Sequence, residues 1–139
     1  MEGRDPSRTA VGAAMYRAAH YILDNEPKIL ADPFARPFAG FTSDEELLKT
    51  LAQRSWSPED FSRIRTLFAL RSRYAEDELV QSVQRGVSQY IMLGAGLDSF
   101  AYRRPDLMRR LEVYATKIRR LDSLRYITGG IWGSMIGTK

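Results

Sequence analysis

The residues of this chain best suited to chemistry lie in Leu93-Gly94-Ala95-Gly96-Leu97-Asp98. Two glycines one residue apart, directly after the apolar run Gln89-Tyr90-Ile91-Met92-Leu93, let a backbone turn sharply and approach a ligand closely, because neither presents a Cβ. In a parallel sheet, a turn at the carboxyl end of a strand faces the crevice where nucleotide-like ligands bind. The glycines alone are a weak signal, since a plain strand-to-helix turn carries them too. The dinucleotide fingerprint G-x-G-x-x-G asks for a third small glycine-like position where Ser99 stands, which weighs against nicotinamide or flavin binding. Arg71 adds a second signal. Between Pro58 and Gly86, the residues Phe61, Ile64, Phe68, Arg71, Ala75 and Leu79 fall on one helical face, which puts a guanidinium on an apolar stripe. Such a group needs an anionic partner, and a ligand carboxylate would serve through a bidentate pair. The alternatives within the chain are pairing with Asp98 or extension past the edge of the stripe. Arg73 points to the opposite face.

Other chemistries are excluded by composition. The chain has no cysteine and one histidine, so thiolate zinc sites, disulfides, a cysteine nucleophile and most triads are absent, and no metal site is expected. His20 falls well round the first helix from its apolar stripe and reads as a hydrogen-bonding residue at the surface or between helices, without a catalytic role. The net charge of +4 is localised: residues 1–116 hold 16 Lys and Arg against 16 Asp and Glu, whereas residues 117–139 hold five basic residues against Asp122. A short basic end reads as solvated, so no nucleic-acid partner is expected. No run of roughly 18 apolar residues occurs, and Met1-Glu2-Gly3-Arg4-Asp5 lacks the apolar stretch of a signal peptide. A cytoplasmic location without a membrane partner is the expectation.

The elements that must position the turn can be read in order. The 139 residues, 44% of them apolar, suit one modest core. Asp5 or Ser7 caps a first amphipathic helix carrying Val11, Ala14, Met15, Ala18 and Ile22 and ending near Asn25. Pro27, Pro33, Pro37 and Gly40 predict a packed loop anchored by Ile29, Leu30, Phe34 and Phe38. Ser43 and Glu46 form a capping box for a short helix bearing Leu47, Leu48 and Leu51. Ser57-Pro58-Glu59-Asp60 starts a helix, long or bent, that runs to Gly86. Gln89–Leu93 then reads as a buried strand, and Asp98 or Ser99 caps a brief helix interrupted by Pro105. Leu111-Glu112-Val113-Tyr114 reads as a second strand. Beyond Tyr114 the apolar pattern is irregular and predicts no element.

Two stretches, Arg71-Ser72-Arg73-Tyr74-Ala75-Glu76-Asp77 and Gly86-Val87-Ser88-Gln89-Tyr90-Ile91-Met92-Leu93-Gly94-Ala95-Gly96-Leu97-Asp98-Ser99-Phe100-Ala101-Tyr102-Arg103, resemble the leucine carboxyl methyltransferase family, in particular its bacterial S-adenosylmethionine-dependent branch. Ser7-Arg8-Thr9-Ala10, Tyr16-Arg17-Ala18-Ala19-His20 and Ala31-Asp32-Pro33-Phe34-Ala35 are similar to that branch as well. The resemblance covers most of residues 7–114. It implies an α/β fold of class I methyltransferase type, Rossmann-like and doubly wound, with a helical N-terminal extension. It also implies S-adenosyl-L-methionine as cofactor, with Gly94, Ala95 and Gly96 packed on it, Arg71 on its carboxylate and Arg8 lining the pocket. The implied reaction is O-methyl transfer to a carboxylate or similar acceptor on an unspecified small molecule. Alignment of nucleophile, methyl carbon and leaving sulfur does most of that work, so no dedicated base is required.

The chain departs from the family after its second strand. Family members carry Glu-x-Asp-His-Pro there, and its acid holds the ribose hydroxyls of the cofactor, but here Tyr114 is followed by Ala115-Thr116-Lys117-Ile118-Arg119-Arg120-Leu121. Only two strands are readable where a doubly wound domain has about six. The expected organisation is therefore a helical region over 1–86, the start of a Rossmann-like S-adenosylmethionine-binding core over 87–114, and a divergent basic tail over 115–139, with the C-terminal half missing. Activity is expected to be impaired, the alternative being a silent homologue that acts as an interaction module. An exposed sheet edge would allow self-association.

Overall fold

A computed structural model of the chain describes residues 6–116. Ser7 accepts a hydrogen bond from the Ala10 amide (3.2 Å) and so starts helix α1, Arg8–Leu23, which ends at Asp24. The proline-bearing stretch that follows is a packed loop, as expected, and includes a single turn of helix, α2 (Ala35–Phe38). Leu30 and Ala35 are buried within it. Phe34 and Phe38 stack around Tyr102, with ring centroids 5.5 and 5.1 Å away. Ser43 caps α3, Asp44–Ala52, through the Glu46 amide (3.1 Å). The Glu46 carboxylate reaches back to the Thr42 amide (3.0 Å) and hydroxyl, a variant of the capping box. Ser57 caps the 27-residue α4, Pro58–Gln84, which terminates at Gly86 in the left-handed conformation (φ 95°).

Strand β1, Gln89–Leu93, pairs in parallel with β2, Glu112–Thr116, through a connection that carries the glycine turn and two short helices, α5 (Phe100–Arg103) and α6 (Pro105–Met108). Pro105 thus starts a helix as well as ending one, because its fixed φ suits a first helical position. β2 begins and ends slightly later than Leu111–Tyr114. Among the described residues the architecture is a mixed α/β one built on a two-stranded sheet.

Two apolar clusters share α4. The first joins Met15, Tyr16, Ala18 and Ala19 of α1 to Ala35, Leu47 and Leu51, with Phe61, Ile64 and Phe68 of α4 against them. The second packs Leu79 and Val83 of α4 on Met92, Phe100, Leu107 and Leu111. Every residue from Ala14 to His20 is buried, so α1 is enclosed on all sides rather than along one stripe. The alanines at 14, 18 and 19 allow that close approach.

Two expectations change. β1 is covered on one face only: Met92 is buried, while Ile91 and Leu93 are 58% and 66% exposed on the face turned away from α4. The continuous apolar run signals cover on both faces, and the described residues supply one layer of helices. The buried face of α4 is formed by Ala69, Glu76, Leu79 and Val83, roughly a fifth of a turn from the stripe read in the sequence. Glu76 sits at its centre and is not apolar, so periodicity of hydrophobic residues placed the stripe off-centre. The basic tail lies, beyond Thr116, outside the described residues. No helix among the described residues is long and apolar enough to cross a membrane.

Candidate functional site

At the carboxyl end of β1 the chain turns through Gly94 and Gly96, both with positive φ (68° and 57°), a region in which side-chain-bearing residues are strained. The Asp98 amide closes the turn on the Ala95 carbonyl (3.0 Å), and the Asp98 carboxylate accepts from the Phe100 amide (2.7 Å) to begin α5. Among the described residues, no acceptor meets the amides of Ala95, Gly96 or Leu97. Three consecutive N–H groups without an acceptor among the described residues, beside two exposed glycines, are a candidate donor surface for a polar ligand edge. α1 closes one side of it: a Cβ on Gly96 would lie 3.0 Å from the Cβ of Ala10. That contact brings Ala10, in the first turn of α1, against Gly96; Arg8 lies in the same turn but roughly 200° round the helix from Ala10. Arg8 is exposed.

Arg71 lies apart from the buried stripe. It is exposed, with its guanidinium carbon 5.7 Å from the centroid of Phe68, which in turn stacks on Tyr16 of α1 (5.3 Å, 17°). Neither Asp98 nor a stripe of apolar neighbours holds it. Arg71 lies on the flank of α4 beside α1, and among the described residues no carboxylate pairs with it.

Below the turn lies a buried polar network that sequence patterns did not reveal. Arg17 donates to Asp32 (2.9 Å) and to the Leu97 carbonyl (2.6 Å). The Ser99 hydroxyl donates to Asp32 (2.7 Å) and accepts from Arg103 (2.9 Å), whose guanidinium also meets Glu76 at 2.5 Å. Arg17, Asp32, Ser99 and Glu76 are all buried. Burial raises the Glu76 carboxyl above its ordinary range despite the attraction of Arg103 and Arg104. Ser99 therefore fills the small-residue position of the turn and binds the network as well. Apart from Ser99, read as the third fingerprint position and a cap candidate, these residues are visible in the sequence only as parts of the family-like segments, because ion pairs between distant positions leave no periodic signature.

A cavity of about 320 Å³ opens between residues 28–31, α4 and the α5–α6 junction, on the side of Arg73 and Glu76. Its cations are matched: Lys28 by Glu26, Arg73 by Asp77, Arg103 by Glu76 and Arg104 by Asp106. It offers little free charge to a ligand.

His20 is buried rather than at a surface. Its Nε2 accepts from the Leu30 amide (3.3 Å), which leaves Nδ1 to donate to Asp24 (2.5 Å). Asp24 also takes two bonds from Arg65 of α4 (2.8 and 2.7 Å). Burial alone would raise the Asp24 carboxyl, but the hydrogen bonds from Arg65 and His20 outweigh it and hold it below the ordinary carboxylate range. This cluster ties α1, the loop and α4 together, away from the glycine turn.

A glycine turn after the first of two parallel strands, beside a helical N-terminal layer, is consistent with part of a methyltransferase-like α/β fold. The chain belongs to the leucine carboxyl methyltransferase family, whose profile matches residues 10–116. It is 37% identical over 70 residues to "Putative S-adenosyl-L-methionine-dependent methyltransferase YktD" of Bacillus subtilis strain 168, covering 50% of this chain and 20% of that one. Proteins named "Putative S-adenosyl-L-methionine-dependent methyltransferase" from Mycolicibacterium smegmatis and Mycolicibacterium paratuberculosis are 32% and 33% identical over 71% and 70% of this chain. The chain spans 35% and 38% of those two relatives, about a third of their length. No solved structure is significantly similar to it.

Proposed function

We propose that this chain carries the cofactor-facing first part of an S-adenosyl-L-methionine-dependent methyltransferase that acts on the oxygen of a carboxylate or similar group. The observation that carries the reading is the glycine turn, whose free amides at Ala95, Gly96 and Leu97 stand at the carboxyl end of β1. The cofactor's amino-acid end suits this place: its carboxylate accepts hydrogen bonds, and the exposed guanidinium of Arg71 matches the carboxylate's negative charge. Gly94, Ala95 and Gly96 would lie against the cofactor, and Arg8, on the α1 turn beside Gly96, would line the same pocket. When bound, the cofactor supplies an electrophilic methyl group on a sulfonium. The chain's share in the transfer is to orient that group and exclude water, in keeping with a reaction limited by alignment.

The fit is incomplete on the ribose side. Doubly wound nucleotide sites use an acid after the second strand for the ribose hydroxyls, and no acid occurs between Glu112 and Asp122. That observation favours weak cofactor binding and impaired activity by this 139-residue chain, with a silent homologue that serves in interactions as the second reading. Titration calorimetry with S-adenosyl-L-methionine tests both. Binding weaker than micromolar that is lost on Arg71→Ala is the expected result. Micromolar or tighter one-to-one binding removes the silent reading, and no heat of binding overturns the cofactor assignment.

A further inference from the structure

The buried network under the glycine turn has a geometry that ordinary stabilisation does not require. Arg17 stands 80 residues before Leu97, yet donates to its backbone carbonyl at 2.6 Å while also bonding Asp32 at 2.9 Å. The carbonyl and N–H of a trans peptide point in opposite directions. Fixing the Leu97 carbonyl toward Arg17 therefore aims the Asp98 amide at Ala95, the bond that closes the turn. Ser99, fully buried, is held from the other side by Asp32 at 2.7 Å and Arg103 at 2.9 Å. The two ends of Leu97-Asp98-Ser99 are thus clamped to one carboxylate, Asp32, which is 1% exposed and belongs to the loop after α1.

We propose that Arg17, Asp32 and Ser99 are positioning residues for the ligand-binding turn: they hold residues 94–99 in the shape that leaves the amides of Ala95, Gly96 and Leu97 free, and so make ligand binding depend on the docking of α1 and the 31–35 loop. The inference rests on the glycine turn as the cofactor site. None of the three residues touches the ligand surface. A small change in the N-terminal layer is transmitted to the site through one carboxylate, with no need for movement of β1.

The test compares the full chain with its Asp32→Asn, Arg17→Lys and Ser99→Ala variants by amide hydrogen exchange and by calorimetry with S-adenosyl-L-methionine. The expected result is loss of exchange protection at the Asp98 and Phe100 amides, with protection in α3 unchanged. Cofactor affinity is expected to fall by roughly ten- to a hundredfold, the size set by one charge-assisted hydrogen bond. Arg17→Lys retains the charge and should keep part of the affinity, whereas an added Arg17→Met variant, which removes it, should show the full loss. Asp98 and Phe100 protected as before, with affinity unchanged, overturns the inference. If the parent chain gives no binding heat, the cofactor assignment fails, while the exchange pattern still decides whether the clamp shapes the turn. Should Asp32→Asn unfold the chain, Ser99→Ala, which removes only a hydroxyl, gives the same readout.

Discussion

Replacing Gly96 with alanine probes the turn most directly. Two costs can be worked from the structure. At φ 57° an alanine enters the left-handed region, which costs about 1–2 kcal/mol for a residue with a Cβ. The new Cβ would also stand 3.0 Å from the Cβ of Ala10. Ala10 lies in the first turns of α1, so its methyl moves only if the helix does, and overpacking of this kind costs about 1–3 kcal/mol. Gly96→Ala should therefore destabilise the chain by about 2–5 kcal/mol, the sum of those two effects. Denaturant unfolding of four proteins separates them: parent, Gly96→Ala, Ala10→Gly and the double variant. Ala10→Gly alone should cost up to about 1 kcal/mol, as glycine does in place of alanine in a helix. In the Gly96→Ala background the same change should relieve the clash, leaving chiefly the backbone term. A coupling of about 1–3 kcal/mol between the two positions is expected. Additive effects within about 0.5 kcal/mol would show that α1 does not press on the turn, and would refute the enclosed geometry of the site.

Other outcomes follow from the buried charges and the core. The lowered Asp24 carboxyl binds protons less readily folded than unfolded, so its contribution to stability is present above its ordinary value of 3.8 and is lost as pH falls through the lower folded value. Asp24→Asn should flatten the unfolding midpoint against pH in that acid window and weaken the fold at neutral pH by about 1.5–3 kcal/mol. The raised Glu76 carboxyl acts with the opposite sign: the folded state holds its proton more tightly, so this contribution is full below 4.5 and is lost as pH rises through the higher folded value. Glu76→Gln should remove that decline, which thermal melts from pH 4 upward will show; an unchanged slope would mean that Glu76 is not desolvated. Leu47 is wholly buried between α1 and α3, and Leu47→Ala should cost about 2–5 kcal/mol by denaturant titration.

Much of the scaffold was legible because it is governed by local rules. Ser7, Ser43 and Ser57 each cap the helix expected of them, and Gly86 ends the long one. The five residues of β1 were bounded correctly by the glycines that follow them. What could not be read were features that depend on distant partners. The orientation of α4 turns on Glu76, a carboxylate placed centrally because Arg103 meets it from α5. Apolar periodicity counts such a residue as a surface position, and that error carried Arg71 onto the wrong face. Asp32 looked like one residue of a proline-rich loop, with nothing local to show that Arg17 and Ser99 converge on it.

The same distinction bears on how the site works. The glycines give the turn its freedom, and that freedom is a disadvantage unless something removes it, because a flexible turn orders its amides only at the expense of ligand affinity. In this chain the restraint comes from outside the strand-turn-helix unit: the methyl of Ala10 against Gly96, and Arg17 on the Leu97 carbonyl. Both belong to α1, so the helical N-terminal layer shapes the turn, and under the proposed cofactor reading it belongs to the site in energetic terms even where it contributes no ligand contact. A strand and glycine turn transplanted without α1 and the Asp32 loop would keep the motif and lose the contacts that hold its shape.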